Sequence, residues 1–305
     1  MPMSQAVGID VGGTNIKYGI AGADGSIVYE GLKDTGRPHV LQRLQEVIAE
    51  CREEALSRGL VIEGIGVGVP AIMDGEIVTG CGENVPEIEG LALGPLLQQN
   101  AQLPVVLEND ASLMGLAEQR FGAARGMTDV VFLTVGTGIG GALILNGRLY
   151  GGYRNRGGEL GHIRVASPGL PCSCGASGCL EAHASVKALI RDYLDMGGEK
   201  DADGRHVLLR YLAGDDVAVK VMHRHFEFLG SGIASLINIF SPQKVIIGGG
   251  IAEAGEDYVA PVRAEALRLA MKETSPHTLI EGAQLGNKAG FLGAVARVFD
   301  GVFQS

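Results

Sequence analysis

The sequence predicts an α/β protein built from two similar halves, and three observations support this fold class. Short apolar runs end in glycine at Gly12-Gly13, Gly136-Thr137-Gly138 and Gly248-Gly249-Gly250, which is typical of buried strands whose ends approach a ligand closely. Helical spacing of apolar residues alternates with these runs, as in layered α/β domains. The order strand, Gly/Thr loop, strand, turn, strand occurs at residues 6–30 and again from Asp129 onward, which indicates an internal duplication.

The first half begins with a buried strand at residues 6–12 and a hairpin around Gly22–Gly25. Apolar residues at helical spacing over residues 40–58 predict a helix, and Gly59 is a suitable residue to end it. The remaining predicted elements are, in chain order, a strand at Ile62–Val69, a short strand at Glu76–Thr79, a helix, a strand at Val105–Asn109 and a helix at Ala111–Phe121.

The second half repeats this beginning. An apolar strand is predicted at Asp129–Val135, and after the glycine loop a strand at Ala142–Leu145 turns at Asn146-Gly147 into another strand. An irregular glycine-rich stretch follows at residues 151–181. The last predicted elements are helices at 185–196 and 215–239, a strand at Lys244–Ile247, and helices at 256–273 and 287–303.

Length and charge limit the possible partners. The 305 residues are enough for about two domains. The 25 Lys and Arg against 35 Asp and Glu give a net charge of −10, which argues against nucleic acid because its binding proteins recruit Lys and Arg. No apolar run approaches the ~20 residues that span a bilayer, and the start of the chain lacks a signal-peptide pattern. We therefore expect a cytoplasmic protein whose partners are neither nucleic acid nor membrane.

The segment Asp10–Lys17 is a candidate phosphate and metal site. Gly12 and Gly13 would let backbone N–H groups face phosphate oxygens, and Thr14 adds a hydroxyl donor. The Asp10 carboxylate would hold Mg²⁺ directly or through water. The structural alternative is a tight hairpin whose turn is capped by Asp10.

Two further glycine segments extend this hypothesis. Gly136–Gly141 occupies the equivalent place in the second half, so the two loops would grip a polyphosphate from both sides of a cleft. Gly248-Gly249-Gly250 suits close passage of an adenine or ribose. For each segment alone, a plain turn is the competing interpretation.

Glu108-Asn109-Asp110 stands at a predicted strand end, directly before a helix. Polar side chains at the carboxyl end of a strand lie where α/β folds bind ligands. Asp110 would accept a proton from a hydroxyl nucleophile, as a general base does in phosphoryl transfer. Alternatively, Asp110 is simply the N-cap of the following helix.

The cysteine pattern predicts a metal site. Three of the five cysteines, Cys172, Cys174 and Cys179, lie within eight residues, and His162 precedes them. Three thiolates and one imidazole form a closed tetrahedral ligand set for Zn²⁺, which makes the expected role structural. Unrelated buried cysteines or a redox pair are the alternatives.

Taken together, these motifs resemble those of the ROK family (repressors, open reading frames and kinases), specifically its bacterial glucokinase-like sugar kinases. The resemblance covers nearly the whole chain. The matching motifs are D-x-G-G-T-x-x-K at Asp10–Lys17, G-x-G-x-P at Gly66–Pro70, E-N-D-A at Glu108–Ala111, G-T-G-I-G-G at Gly136–Gly141, G-E-x-G-H at Gly158–His162, C-x-C-G-x-x-G-C-x-E at Cys172–Glu181 and G-G-G-I at Gly248–Ile251.

The resemblance implies a duplicated actin-like (ribonuclease-H-like) fold with ATP in the interdomain cleft and transfer of the γ-phosphoryl group to a hexose hydroxyl. It implies a smaller N-terminal domain that consists of residues 1–115 and the last helix, residues 287–305. It also implies a larger C-terminal domain, residues 116–286, which contains the zinc-binding loop. Homodimers are also expected.

Carried over position by position, the resemblance implies a role for each candidate residue. Asp110 matches the catalytic base. The sugar-binding positions are Asn84, Asn109, Asp110, Glu159, His162 and Glu181, and the zinc ligands are His162, Cys172, Cys174 and Cys179. The positions expected to hold ATP and Mg²⁺ are Asp10, Gly12, Gly13, Thr14, Lys17, Gly136, Thr137, Gly138, Gly248, Gly249 and Gly250.

Because of three departures from the family pattern, the resemblance does not identify the sugar substrate. Ala71 replaces the usual glycine, the segment near Asn84-Val85-Pro86 lacks the usual tryptophan and has Ile88 nearby, and His183 replaces a common aromatic residue. We expect phosphorylation of the 6-hydroxyl of glucose. The alternatives are an N-acetylmannosamine, N-acetylglucosamine or fructose kinase, and, in another class, a sugar-sensing transcriptional regulator without catalytic activity.

Overall fold

The chain forms two compact units, each with its own sheet and core. The computed structural model describes residues 4–74, 77–81 and 85–302. Within these ranges the first unit takes its residues from Met1–Gly126, Leu149–Gly158 and Asn287–Ser305, and the second from Met127–Arg148 and Glu159–Gly286.

The first unit contains a five-stranded sheet and a short hairpin. The strands are β1 (Gln5–Val11), β2 (Asn15–Gly22), β3 (Ile27–Asp34), β4 (Ile62–Val69), the hairpin pair β5 (Ile72–Asp74) and β6 (Ile77–Thr79), and β7 (Val105–Asn109). In the sheet the strand order is β3-β2-β1-β4-β7, with β1 antiparallel to β2 and parallel to β4.

The second unit repeats this arrangement. Its strands are β8 (Val130–Val135), β9 (Ile139–Leu145), β10 (Arg148–Leu149), β11 (Lys244–Gly248) and β12 (Leu279–Gly282). Their order in the sheet is β10-β9-β8-β11-β12, with β8 antiparallel to β9 and parallel to β11. Because both sheets share one order and the same pattern of strand directions, the predicted duplication is confirmed.

Helices cover the two sheets and complete the cores. They are α1 (Val40–Ser57), α2 (Leu93–Ala101), α3 (Asp110–Phe121), α4 (Leu180–Ala184), α5 (Val186–Asp195), α6 (Gly204–Leu212), α7 (Asp216–Phe240), α8 (Glu256–Leu269) and α9 (Ala289–Val302). None of those in the described ranges has the length and apolar character that crossing a bilayer requires.

Helix α9 packs directly against the backbone of the first sheet. A Cβ atom added at Gly8 of β1 would lie 2.0 Å from the carbonyl oxygen of Phe291, and one at Gly66 of β4 would lie 2.1 Å from that of Ala294. Real Cβ atoms do not approach backbone so closely. Glycine at these two strand positions therefore allows α9 to lie on the sheet at backbone contact.

The boundary between the units differs from the one expected at residues 115/116. The structure places residues 116–126 and 149–158 with the first unit. Packing explains the first of these: Leu113 and Leu116 of α3 form a buried cluster with Ala294 and Ala296 of α9. Since a helix moves as one rigid element, all of α3 stays with the first unit.

Several observed elements were not predicted from the sequence, or end at a different residue from the one predicted. Helix α6 and strand β12, which have nine and four residues, were not predicted from the sequence. The helix expected at 256–273 ends at Leu269, after which Met271–Thr278 forms turns whose backbone is tied to Asn238.

A buried histidine lies between α7 and α8. His225 is fully enclosed, and its Nε2 lies 2.7 Å from the hydroxyl oxygen of Tyr258. Burial disfavours the imidazolium form and lowers the pKa of His225 from its ordinary 6.5 to about 4. The folded chain therefore keeps this ring neutral under conditions in which an unfolded chain protonates it.

This histidine should make the second unit less stable in mild acid. Below pH 6.5 the unfolded chain takes up a proton at His225, whereas the folded chain does not until about pH 4. The free energy of unfolding should therefore decrease as the pH falls through this interval, by up to about 1.4 kcal/mol per pH unit. Urea denaturation at pH 7, 6 and 5 measures this slope.

Two matched variants distinguish the contribution of His225 to this pH dependence from that of other titrating groups. His225→Gln should reduce the loss of stability between pH 7 and 5 relative to the wild type, and His223→Gln, at an exposed position of the same helix, should leave it unchanged. Equal slopes for the wild type and His225→Gln would contradict the assignment.

Candidate active site and metal centre

In the first unit, parallel strands bring the predicted residues to one edge of the sheet. Asp10 of β1 pairs with Gly68 of β4, and Gly68 pairs with Glu108 of β7. Asn109 ends β7 and Asp110 begins α3. Asp10, Asn109 and Asp110 therefore lie at the carboxyl ends of the two parallel strands on either side of β4, at the edge where α/β folds bind ligands.

Asp10 is a buried carboxyl group in a negative environment. It is 7% exposed. Loss of hydration raises its pKa to about 7, the charge of Asp110 adds to the increase, and Lys17 opposes it. A divalent cation next to these carboxylates would favour their ionised form, and carboxylate oxygens are the ligands that Mg²⁺ prefers. Asp10 thus fits the metal-binding role that the sequence suggests.

The turn between β1 and β2 is tight and solvent-facing. The backbone N–H of Gly12 donates to the carbonyl oxygen of Asn15 at 2.9 Å, and the hydroxyl of Thr35 donates to that of Gly12 at 2.7 Å. Gly13 and Thr14 are exposed at its tip. The turn is closed by backbone and by Thr35, and the carboxylate of Asp10 lies instead against the start of α9, where a Cβ added at Gly290 would be 2.2 Å from its Oδ2.

Lys17 is linked to the start of the last helix. Its Nζ donates to Oδ1 of Asn287 at 2.8 Å, two residues before α9 begins. This contact connects the predicted phosphate segment to α9.

At the start of α3, the side chains of Asn109 and Asp110 have different roles. Oδ1 of Asn109 accepts a hydrogen bond from the backbone N–H of Ser112 at 3.0 Å, so Asn109 is the N-cap. Oδ1 of Asp110 accepts from the N–H of Ala111 at 2.8 Å. The alternative of Asp110 as N-cap is therefore wrong: its carboxylate lies in the first helical turn, beside the cap. Nδ2 of Asn109 also donates to the carbonyl oxygen of Ala71, at 3.4 Å.

Glu108 connects this edge to two other segments, a link the sequence did not reveal. Its carboxylate accepts from Nδ2 of Asn155 at 3.1 Å and from Nε of Arg297 at 3.5 Å. Glu108 is 5% exposed. No local pattern marks Asn155 or Arg297, because they lie 47 and 189 residues away in the chain.

In the second unit, two predicted glycine segments meet at the equivalent edge. The carbonyl oxygen of Gly136 accepts from the N–H of Val186 at 2.8 Å, which ties the loop after β8 to the start of α5. Gly249 has a φ of 94°, and a Cβ there would lie 2.1 Å from the carbonyl oxygen of Val135. The turn after β11 thus lies against the end of β8, and Gly136–Gly138 and Gly248–Gly250 are neighbours.

The predicted metal ligands come together in the irregular stretch before α4. The side chains of His162, Cys172, Cys174 and Cys179 offer ligand atoms that all lie within 4.8 Å of one another. Nδ1 of His162 is 3.5 Å from Sγ of Cys172, and Sγ of Cys174 is 3.7 Å from Sγ of Cys179. A tetrahedral zinc ion with Zn–S bonds of about 2.3 Å requires sulfur separations of about 3.8 Å. The cluster therefore fits zinc in both donor type and spacing.

Backbone hydrogen bonds shape this cluster. The N–H of Cys172 donates to the carbonyl oxygen of Ala176 and that of Val165 to Gly178, each at 2.8 Å. These bonds fold the Cys172–Cys179 segment into a compact loop that returns the third thiol to the first two. The imidazole of His162 directs Nδ1 to the sulfurs, which leaves Nε2 as the atom able to contact a further ligand.

The predicted sugar-binding carboxylates of this unit lie beside the cluster. Loss of hydration raises the pKa of Glu159, His162 opposes the increase and the charge of Glu181 adds to it, so the three side chains interact. Oε2 of Glu181 accepts from the N–H of Ile139 at 3.0 Å. Asn84, the remaining predicted sugar-binding residue, lies outside the described residues.

Comparison with known proteins gives one consistent result. The family model described as "ROK family" matches residues 6–300. A glucokinase of Thermotoga maritima is 34% identical over 314 residues, covering 97% of this chain and 98% of the relative. A ROK hexokinase structure from Thermus thermophilus matches with a TM-score of 0.88 and 33% identity over 99% of this chain and all of the other.

The range of relatives is broader than glucokinases. A ROK glucokinase structure from Streptomyces griseus, in complex with glucose and AMPPNP, matches with a TM-score of 0.82 and 32% identity over 97% of this chain and 99% of the other. An N-acetyl-D-glucosamine kinase of Pectobacterium carotovorum is 30% identical over 94% of this chain and 96% of its own. A xylose repressor of Caldicellulosiruptor bescii is 28% identical over 97% of this chain and 78% of its own.

These matches run almost from end to end of the chain and include its glycine loops, its E-N-D-A segment and its cysteine cluster. They confirm the predicted class, a duplicated α/β fold of the actin-like (ribonuclease-H-like) type. By sequence and by structure, the chain belongs to the ROK family.

Proposed function

We propose that this protein is an ATP-dependent hexose kinase that transfers the γ-phosphoryl group to the 6-hydroxyl of glucose. The observation that carries the proposal is the position of Asp110 at the sheet edge, next to the N-cap of α3 and close enough to Asp10 to raise the pKa of Asp10. The similarity to glucokinases and to a ROK hexokinase supports the reaction class.

Asp110 is proposed as the general base. Its carboxylate is held by the first turn of α3 and is not used as the cap, since Asn109 fills that role. A base in this place would accept the proton of the sugar hydroxyl as that oxygen attacks the γ-phosphorus. The proton transfer is worth ~10²–10⁴ in rate in comparable reactions.

Residues at the strand ends are proposed to hold the nucleotide. In the first unit these are Asp10, Lys17 and the turn Gly12-Gly13-Thr14; in the second, the neighbouring segments Gly136–Gly138 and Gly248–Gly250. Backbone N–H groups of such turns suit phosphate oxygens. Mg²⁺ bound near Asp10 would neutralise phosphate charge. Similarity to a relative crystallised with AMPPNP supports the use of ATP.

The metal cluster is proposed to hold structural zinc. All four ligand positions of a tetrahedral ion are filled by His162, Cys172, Cys174 and Cys179, so no open position is left for catalysis. Zinc would stiffen the loop that carries Glu159 and Glu181. The roles of Glu159, His162 and Glu181 in binding the sugar stay predictions, as do a homodimer and a cytoplasmic location.

Particular relatives support functions other than glucose phosphorylation. The similarity to an N-acetyl-D-glucosamine kinase keeps N-acetylated hexoses open as substrates, and a fructose kinase is the other alternative within the class. The similarity to a xylose repressor favours a sugar-sensing regulator. The presence of Asp110 and of both glycine loops argues for the kinase.

Replacement of the proposed base should stop turnover without abolishing binding. Asp110→Asn keeps the size and polarity of the side chain but cannot accept the proton, so kcat should fall by ~10²–10⁴ while glucose still binds in calorimetry. Asp195→Asn, at an exposed position at the end of α5, is the matched control and should retain kcat. Near-normal turnover by Asp110→Asn would remove Asp110 from the role of base.

A panel of sugars should identify the substrate. Release of ADP measured with glucose, N-acetylmannosamine, N-acetylglucosamine and fructose should give the highest kcat/KM with glucose. A higher value with another sugar would reassign the substrate within the class. Operator binding with no sugar-dependent release of ADP would support the regulator instead.

Removal of the metal should weaken sugar binding. Metal analysis should find about one zinc per chain, and Cys179→Ser should lose it because a thiolate ligand is removed. Cys51→Ala, at a buried cysteine of the first unit, should retain zinc. Unchanged glucose affinity after chelation would contradict the proposed role of zinc in holding Glu159 and Glu181.

A further inference from the structure

Ser173 lies between two of the metal ligands; its hydroxyl oxygen is 3.9 Å from Sγ of Cys172, but its closer partner is a carboxylate. Its hydroxyl donates to Oε1 of Glu181 at 3.0 Å. Sγ of Cys172 lies 3.9 Å from the same oxygen. The carboxylate of Glu181 is therefore contacted from one side by the loop that forms the metal cluster.

The other side of the same carboxylate contacts the glycine loop. Oε2 of Glu181 accepts from the backbone N–H of Ile139 at 3.0 Å. A Cβ added at Gly138 would lie 2.4 Å from this oxygen, so glycine at position 138 is what lets the carboxylate approach the loop. The contact joins α4 to the segment Gly136–Gly138, which the proposed function assigns to phosphate.

We propose that Ser173 is a positioning residue that couples metal binding to nucleotide binding through Glu181. The inference rests on the proposed function, in that it takes zinc and a nucleotide as the two ligands. The chain of contacts is short: the Ser173 hydroxyl, the Glu181 carboxylate and the Ile139 amide. Ser173 and Glu181 lie 8 residues apart in the chain and Ile139 and Glu181 lie 42 apart, and all three residues belong to the second unit.

The physical basis is the orientation of one carboxylate. With zinc bound, the Cys172–Cys174 segment holds the Ser173 hydroxyl in place, and this hydroxyl fixes the rotation of the Glu181 carboxyl group. The fixed carboxylate then holds the N–H of Ile139 and the loop before it in one conformation. A loop ordered in advance binds with less loss of conformational entropy. A carboxylate has about four acceptor positions, so these two contacts leave room for a sugar hydroxyl.

Nucleotide affinity of zinc-loaded and metal-free protein tests the coupling. Mg·AMPPNP is titrated by calorimetry, without sugar, into wild type, Ser173→Ala, Ser173→Thr and Ser177→Ala. Zinc should strengthen nucleotide binding to the wild type. In the zinc-loaded state Ser173→Ala should bind about fivefold more weakly, the factor that corresponds to one hydrogen bond of ordinary net strength. Without metal, Ser173→Ala and wild type should bind alike.

The other two variants are controls for the hydroxyl and for the loop. Ser173→Thr retains a hydroxyl and should restore most of the affinity. Ser177 is exposed in the same loop, and its hydroxyl makes no hydrogen bond within the described part of the chain, so Ser177→Ala should behave as wild type. Zinc content should be one per chain in every variant, because no metal ligand is changed.

Amide hydrogen exchange gives a readout that a general loss of stability would not mimic. Exchange at Ile139 should become faster in zinc-loaded Ser173→Ala, while amides in the interior of β8 remain as protected as in wild type.

The possible outcomes are distinct. Unchanged affinity and unchanged Ile139 exchange in Ser173→Ala overturn the coupling, as does a wild type that binds the nucleotide equally well with and without zinc. A protein that binds no zinc, or no nucleotide, also overturns it and removes that part of the proposed function as well. A kinase that binds both ligands without coupling keeps the proposed function and loses only this inference.

Discussion

The structure of the first unit depends on backbone contact between α9 and the strands β1 and β4. Gly8 and Gly66 permit this contact, because a side chain at either position would overlap a carbonyl oxygen of the helix. The close approach removes water from the end of β1 and so desolvates Asp10. Burial of one carboxyl group beside another is a cost to stability, and it is maintained at the position where a cation and a polyphosphate are proposed to bind.

In the second unit the proposed site residues are held together by a different set of contacts. Its glycine segments are neighbours because β8 and β11 are parallel and end together. Its irregular stretch is shaped by backbone hydrogen bonds, which bring together the four side chains of the proposed metal cluster. Glu181 joins these two features. The proposed site residues are thus fixed by strand ends, by short loops and by the first turns of α3 and α4, which carry Asp110 and Glu181.

The sequence predicted what local patterns encode. Apolar runs ending in glycine located the main strands, the repeated order of elements revealed the duplication, and the spacing of Cys172, Cys174 and Cys179 indicated a cluster that the structure assembles. It did not identify Asn109 as the N-cap, since neighbouring Asn and Asp are equally suitable caps. The contacts of Glu108 with Asn155 and of Ser173 with Glu181 depend on tertiary packing, and no spacing rule reports them. The position of α9 was expected only from the resemblance to the ROK family.

The discontinuous first unit has a consequence for the order of events during synthesis. Strands β1 and β4 emerge early from the ribosome, but the helix that covers them is the last one in the described ranges. The second unit is contained within residues 127–286 apart from one short excursion, so its core can close while β1 and β4 still lack their cover. Domains generally fold as they are completed during translation, and here the unit encoded second is completed first. Until α9 is synthesised, the face of β1 and β4 that it covers stays open to solvent.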